Sequence, residues 1–303
     1  MNKKVLAIYY TQTGQMRDII NAFTAPLEIA GTTVEKVQVR LVSDYAFPWT
    51  GSRFYSVMPN CVLEVPSQLE PIHLKAEEYD LVILGYQPWF LWPSIPTNSI
   101  LNEPDLRAVL KDTPVVTISE ARNMWLNAWS RVRSKLNEAG ANSVGNIALV
   151  DKHPNAISFF TIFHWMLGGK KDRYLNIFPK PGVSDEDIAN TKIYGQIVSK
   201  HLEANGWEGL HDELLGQKAV TIKYPLLLLE TTAIATYVKW ANFIVSKKNR
   251  KPWLAAFKYY LYVALFLGAP ILLTLDAIFV KPFSSKRINA KKQSYLQPIS
   301  KNV

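Results

Sequence analysis

Apolar or alternating runs recur through the first half of the chain, at residues 5–10, 33–41, 79–85, 114–119 and 144–150. The second run alternates like a strand with one covered face, whereas 79–85 is continuously apolar, as in a parallel sheet buried on both sides. Stretches of helical spacing lie between and after them, at 17–30, 104–111, 124–139 and 184–205. The last has a clear start: Ser184 with Asp187 three residues on makes a capping box, acidic residues fill its first turn, and Gly206 follows its end. Strands alternating with helices predict an α/β fold, a doubly wound five-stranded parallel sheet in the order 2-1-3-4-5.

Two segments exceed ordinary connections. Residues 42–78 are too long for a simple loop and carry Tyr45, Phe47, Trp49, Arg53, Phe54 and Tyr55, which predicts a cover over a substrate. Residues 157–167 are apolar and run into Gly168-Gly169-Lys170-Lys171. Eleven residues are too few to span a bilayer, so the segment reads as interfacial or as a buried helix, with His164 packed rather than catalytic because no carboxylate is evident beside it.

Beyond Gly209 the character changes. Residues 226–246 and 253–280 are largely apolar, and Gly268 and Pro270 in the second run predict a bend. The domains therefore read as 1–208, a ligand-binding α/β domain, and 209–303, an apolar, basic helical extension. Charge supports the division. From residue 247 onward eleven Lys and Arg face the single acid Asp276, which leaves 23 basic and 24 acidic residues before it, so the net +9 belongs to the tail. A single or double span would put one basic cluster outside, against the positive-inside tendency. A bent, re-entrant or interfacial hairpin keeps both clusters on an anionic inner-membrane surface, with the α/β domain cytoplasmic. An extra soluble helical subdomain or a dimerisation arm, giving a homodimer, stays open. No zinc spacing or RNA-binding signature accompanies the cations, so nucleic acid is not the expected partner.

The chemistry gathers at the first turn, Thr11-Gln12-Thr13-Gly14-Gln15-Met16. A strand–loop–helix turn of hydroxyls and one glycine aims amides and hydroxyls at one spot near the positive end of a helix, which suits a phosphate. One glycine and no lysine exclude the dinucleotide and Walker loops. The exits of the third and fourth predicted strands are also unusual: Gly85-Tyr86-Gln87-Pro88-Trp89-Phe90-Leu91-Trp92-Pro93 and Ser119-Glu120-Ala121-Arg122-Asn123-Met124-Trp125. Aromatic rings and prolines at a sheet rim can clamp a flat heterocycle. The polar groups best placed to act on a substrate there are Tyr86, Arg122 and Asn123. Cys61 is alone, so neither an intrachain disulfide nor a cysteine metal site is expected, and no metal is assigned.

Residues 11–16 resemble the Thr-x-Thr-Gly-x-Thr loop of flavodoxins and flavodoxin-like FMN oxidoreductases, with Met16 in place of the last hydroxyl. The resemblance implies FMN as cofactor, its phosphate on Thr11, Gln12, Thr13, Gly14, Gln15 and Met16. Its ring would lie on Gln87, Pro88, Trp89, Phe90, Ser119, Glu120, Ala121 and Trp125. With residues 4–16, 81–93 and the long extension taken together, the chain is similar to the bacterial family labelled dialkylresorcinol condensing enzyme, from dialkylresorcinol and flexirubin pigment pathways. That likeness implies an aromatase beside a ketosynthase partner, oxidising a lipophilic 2,5-dialkylcyclohexane-1,3-dione to a dialkylresorcinol. Two alternatives remain: a membrane-associated NAD(P)H:quinone reductase, and a non-catalytic scaffold or electron carrier.

Overall fold

A computed structural model describes residues 2–296 of the chain. The final part of the predicted extension, 297–303, lies outside the described residues. Five strands form one parallel sheet: β1 (Lys4–Tyr9), β2 (Thr33–Gln38), β3 (Leu81–Tyr86), β4 (Pro114–Ala121) and β5 (Asn142–Val150). Their order is β2-β1-β3-β4-β5, the flavodoxin-like doubly wound order. Ile8 pairs with Val37 on one side and Leu84 on the other, so β1 and β3 are interior strands buried on both faces.

The two-residue period of the strands sends alternate side chains to two separate cores. Val5, Ala7, Ile83, Val116 and Ile118 face α1 (Gln15–Ile29), and Val198 and Leu202 of a later helix, Asp185–Glu203, close that side. Leu6, Ile8, Val82, Leu84 and Tyr86 face the opposite layer. That layer is built from α4 (Ile95–Asn102), α5 (Pro104–Leu110) and α6 (Leu126–Glu138), which follow α2 (Gly51–Ser56) and α3 (Met58–Val62) in the long segment after β2. The later helices are α7 (Asn155–Gly168), α8 (Asp185–Glu203), α9 (Leu210–Gly216), α10 (Tyr224–Val245), α11 (Lys251–Phe283) and α12 (Ser285–Leu296). The start of α8 has the predicted cap: the Ser184 hydroxyl accepts the Asp187 N–H at 3.0 Å.

The expected boundary at 208/209 is no break in packing. Leu210, Leu214 and Ala219 complete one core, Val220 and Leu227 the other, and Ala241, Ile244 and Phe257 belong to a third core shared with α2 and α3. Part of the extension is thus a layer of the α/β body. The long helix α11 also differs from expectation. It runs through Gly268 and Pro270 without a break, because a π-helical stretch at Ala264–Gly268 precedes the proline and accommodates its missing N–H. By length and composition this 33-residue helix is long and apolar enough to cross a membrane, and only 6% of its most apolar window is buried.

Candidate functional site

The sheet order reverses between β1 and β3, and the loops leaving β1, β3 and β4 meet there. The first loop turns at Gly14, whose φ of 89° suits glycine alone. Thr11 and Thr13 brace the turn, their hydroxyls accepting the N–H groups of Gly14 at 3.0 Å and Gln15 at 3.3 Å. The Arg17 guanidinium folds back to 3.1 Å from where a Cβ on Gly14 would stand, bringing a cation that the motif itself does not include.

The exit of β3 is a tight hairpin, Pro88–Trp89 against Trp92–Pro93, with Phe90 and Leu91 at φ 48° and 72°. Two bulky residues at positive φ are costly, and such strain concentrates at functional sites. Their surroundings hold them. The Cys61 thiol donates to the carbonyls of Trp89 (3.0 Å) and Pro93 (3.3 Å), and the Asn127 amide to that of Leu91 (3.0 Å). Cys61 lies in helix α3, and burial pushes its thiol pKa up.

Residues 42–78 cover the hairpin. Tyr10 donates to Asp44 at 2.8 Å, the Trp49 backbone N–H donates to the Met166 carbonyl at 2.8 Å, and the Trp49 and Tyr45 rings stand edge-on to Trp89 at 5.2 and 5.3 Å. Phe54 packs on Phe90 and on Phe163 of α7, both at 5.0 Å. One face of α7 thus closes the site while Phe160 and Leu167 stay exposed. His164 does have a carboxylate beside it, contrary to expectation: Asp172 lies at 2.6 Å, an exposed pair away from the cavity.

Between these parts lies a cavity of about 230 Å³. Gln12, Thr13, Gln15, Gln87, Pro88, Trp89, Phe90, Glu120, Ala121 and Arg122 all reach it, so three loops far apart in sequence converge as predicted from strand exits. Thr11 and Gly14 shape the turn without lining the cavity.

Five predicted residues lie elsewhere. Met16 is fully buried in the core beneath Gly85, so only its backbone belongs to the turn. Tyr86 alternates away from the site into the opposite core, and its fully buried hydroxyl cannot touch a ligand in this cavity. Ser119 is buried by the same parity, while its neighbour Glu120 faces the cavity. Trp125 sits at the start of α6 in the opposite core, and Trp49 and Trp165 supply the indole walls that it was expected to give. Asn123 is bonded to Asn155 at 2.7 Å and faces a neighbouring groove. The aromatic composition of 42–78 and 157–167 was the available signal for the missed wall residues.

The polar wall is organised around Glu120. Gln15 donates to one oxygen at 2.6 Å; Gln87 donates to the other at 3.4 Å and to the Tyr10 carbonyl at 2.8 Å. Because these amide nitrogens face acceptors only, their oxygens point elsewhere. The buried Oε1 atoms of Gln12, Gln15 and Gln87, and the Trp49 indole N–H, have no hydrogen-bond partner among the described residues. Burial raises the Glu120 carboxyl to about 7 against the support of both amides, which suits a proton acceptor near neutrality. Arg122 enters from the next loop. Its guanidinium donates to the Asn155 carbonyl at 3.1 Å, burial lowers its pKa to about 10, and no carboxylate among the described residues lies within salt-bridge distance.

A second, larger basin of about 1030 Å³ opens beside β5, lined by Lys152, Lys218, Lys223, Lys281 and Lys292. On its wall the buried Asp151 carboxylate binds His153 at 2.6 Å and accepts the Ser158 hydroxyl at 2.9 Å.

No family model and no curated protein sequence matches the chain. Among solved structures it is similar to an FMN-bound flavoprotein from Lactobacillus acidophilus at 17% identity, covering 48% of this chain and 93% of that one with a TM-score of 0.38. It is also similar to flavodoxin 1 from Bacillus cereus, at 13% identity over 66% of this chain and 99% of the other, with a TM-score of 0.36. A flavodoxin from the domain Archaea gives 13% identity, the same coverages and 0.35. Likenesses of this strength lend no support to an assignment of the site.

Proposed function

We propose that this chain is an FMN-dependent oxidoreductase. The observation that carries it is the set of unsatisfied groups in the cavity: three amide oxygens and one indole N–H, set among aromatic walls at the sheet's switch point. Such a set suits the pyrimidine end of a flavin, whose single N3–H between two carbonyls would donate to one of the amide oxygens while a carbonyl accepts the indole N–H. Gln12, Gln15 and Gln87 would hold that edge, Trp49, Trp89 and Phe90 the ring, and the Thr11–Gly14 turn with Arg17 the phosphate. Purified full-length protein should be yellow and release FMN on denaturation. Colourless protein that fails to bind added FMN would overturn the reading.

The finer reading is an aromatase for a lipophilic cyclic 1,3-dione, a 2,5-dialkylcyclohexane-1,3-dione converted to a dialkylresorcinol, with a ketosynthase as the partner that delivers it. Bound flavin would supply a two-electron hydride acceptor. The dione loses the acidic proton between its carbonyls to give an enolate, the ring gives up one hydride, and a proton shift completes the aromatic ring. Arg122, a half-buried cation without a carboxylate partner, would stabilise the enolate charge, and Glu120 would take and return protons. Asn123 would position Asn155 and, through it, Arg122; Tyr86 has no part. A cyclic dione that bleaches the flavin while NAD(P)H does not would support this reading.

A second reading, an NAD(P)H:quinone reductase on a membrane, is favoured by the lysine-lined basin, whose charge suits a phosphate-bearing reductant. Rapid bleaching by NAD(P)H would select it. In either case the exposed apolar face of α11 and the basic clusters at its ends would hold the protein on the cytoplasmic side of the inner membrane, lying along the surface.

A further inference from the structure

Beside the ring cavity runs a second hollow of about 400 Å³, between α10 and α11. The two hollows share Pro88, Phe90, Arg122, Phe159 and Leu261, so they adjoin at the strained hairpin and the Arg122 guanidinium. From that junction the groove continues along α11 from Leu261 to Leu272, a helical rise of about 16 Å, enough for an extended chain of roughly a dozen carbons. Small side chains, Ala233 on one wall and Ala264 and Ala269 on the other, leave the space open. Thr232 bonds back to the Leu228 carbonyl at 2.9 Å, which spends its hydroxyl within its own helix.

A long apolar groove that ends on a half-buried cation without a carboxylate partner has two chemically distinct ends. We infer that the α10–α11 groove and Arg122 together bind a single-chain anionic amphiphile, its charged head on the guanidinium and its alkyl chain along Ala233 and Ala269 toward Leu272. A neutral lipid would add no counter-charge to the guanidinium, which has the Asn155 carbonyl at 3.1 Å and the field of Asp151 from beyond salt-bridge distance. A compact anion would leave the groove empty. The inference deepens the proposed function, since the head would stand at the edge of the flavin cavity, and it rests on that reading for the chemistry though not for the binding.

The test uses full-length protein and displacement of dansyl-aminoundecanoate by unlabelled carboxylates of 8 to 16 carbons, with FMN binding measured on the same samples. Affinity should rise about three- to fourfold per added methylene and level off near a dozen carbons. Dodecanoate should bind at least tenfold more tightly than dodecanol or dodecyltrimethylammonium, and Arg122→Gln should erase that preference. Ala233→Phe on α10, and independently Ala269→Phe on α11, should shift the levelling-off to shorter chains. Absence of saturable binding, equal affinity for the cationic and anionic amphiphiles, or chain-length profiles unmoved by both groove variants while both bind FMN like wild type would overturn the inference. Chain binding without FMN binding would sink the flavin reading alone, and FMN binding without chain binding would sink this one alone.

Discussion

Glu230, on α10, accepts the backbone N–H of Asn127 at 2.7 Å, across 103 positions of sequence. Asn127 lies in the first turn of α6, a helix that has no side-chain cap of its own. A fully buried carboxyl on a largely apolar helix thus supplies the cap that Trp125, at the N-cap position, cannot. The contact ties the C-terminal layer to the loop that carries Arg122 and Asn123.

Replacing Glu230 by Leu should therefore cost about 2–4 kcal/mol, because it leaves buried N–H groups of the α6 first turn unpaired. Glu230→Gln retains an acceptor and should cost about 1 kcal/mol. Urea unfolding of the two variants checks the order; equal losses would mean that the cap does not carry the effect.

Glu120 gives a pH dependence whose sign is fixed by burial. Its carboxyl titrates at about 7 in the fold against an ordinary 4.5, so the unfolded chain loses the proton first as pH rises. The stabilising contribution is complete below pH 4.5 and is lost as pH climbs through 7. Glu120→Gln, which cannot ionise, should flatten the decline, its stability relative to wild type rising by about 1–3 kcal/mol between pH 4.5 and 8. Denaturant midpoints at both pH values test this. Glu230, raised by burial to about 7 as well, leaves a residual slope in the variant.

Gly85 is the floor beneath the first turn. A Cβ there would stand 2.8 Å from the Met16 sulfur and 2.9 Å from the Tyr9 Cβ. Met16 can swing, but the Tyr9 Cβ is fixed by its strand. Gly85→Ala should lower stability by about 1–3 kcal/mol and weaken FMN binding, because α1 and its turn must shift outward. FMN titration by fluorescence quenching measures the second effect.

The exposed face of α11 presents Leu267, Ile271, Ile278 and Phe279, each more than half exposed. Burying such side chains is worth about 1.5–3 kcal/mol each, so changing Leu267, Ile271 and Phe279 together to Ser should remove most association with anionic vesicles while the fold persists. Sedimentation with phosphatidylglycerol vesicles in low and high salt tests it; unchanged pelleting would exclude this face. Deleting 247–303 is the poorer experiment, because Phe257 is buried in the third core and Leu261 lines the ring cavity.

By itself the sequence determined the sheet. Strand runs, helical spacing and the Ser184 cap are local signals, and the short-range physics of period and capping was enough to predict five strands in the right order and the turn at residues 11–16. It also marked three strand exits that do converge. The tertiary structure decided what alternation and distance control. Tyr86 and Ser119 differ from Gln87 and Glu120 by one position, yet a one-residue step in a strand moves a side chain to the other core. The walls from Trp49, Phe163 and Trp165 depend on how long segments fold back, which no local pattern encodes. The same holds for the extension. Its apolar composition read as a separate membrane segment, but α10 buries Leu227, Glu230, Ala241 and Ile244 against the α/β body, because a largely apolar helix can satisfy a protein core as readily as a bilayer.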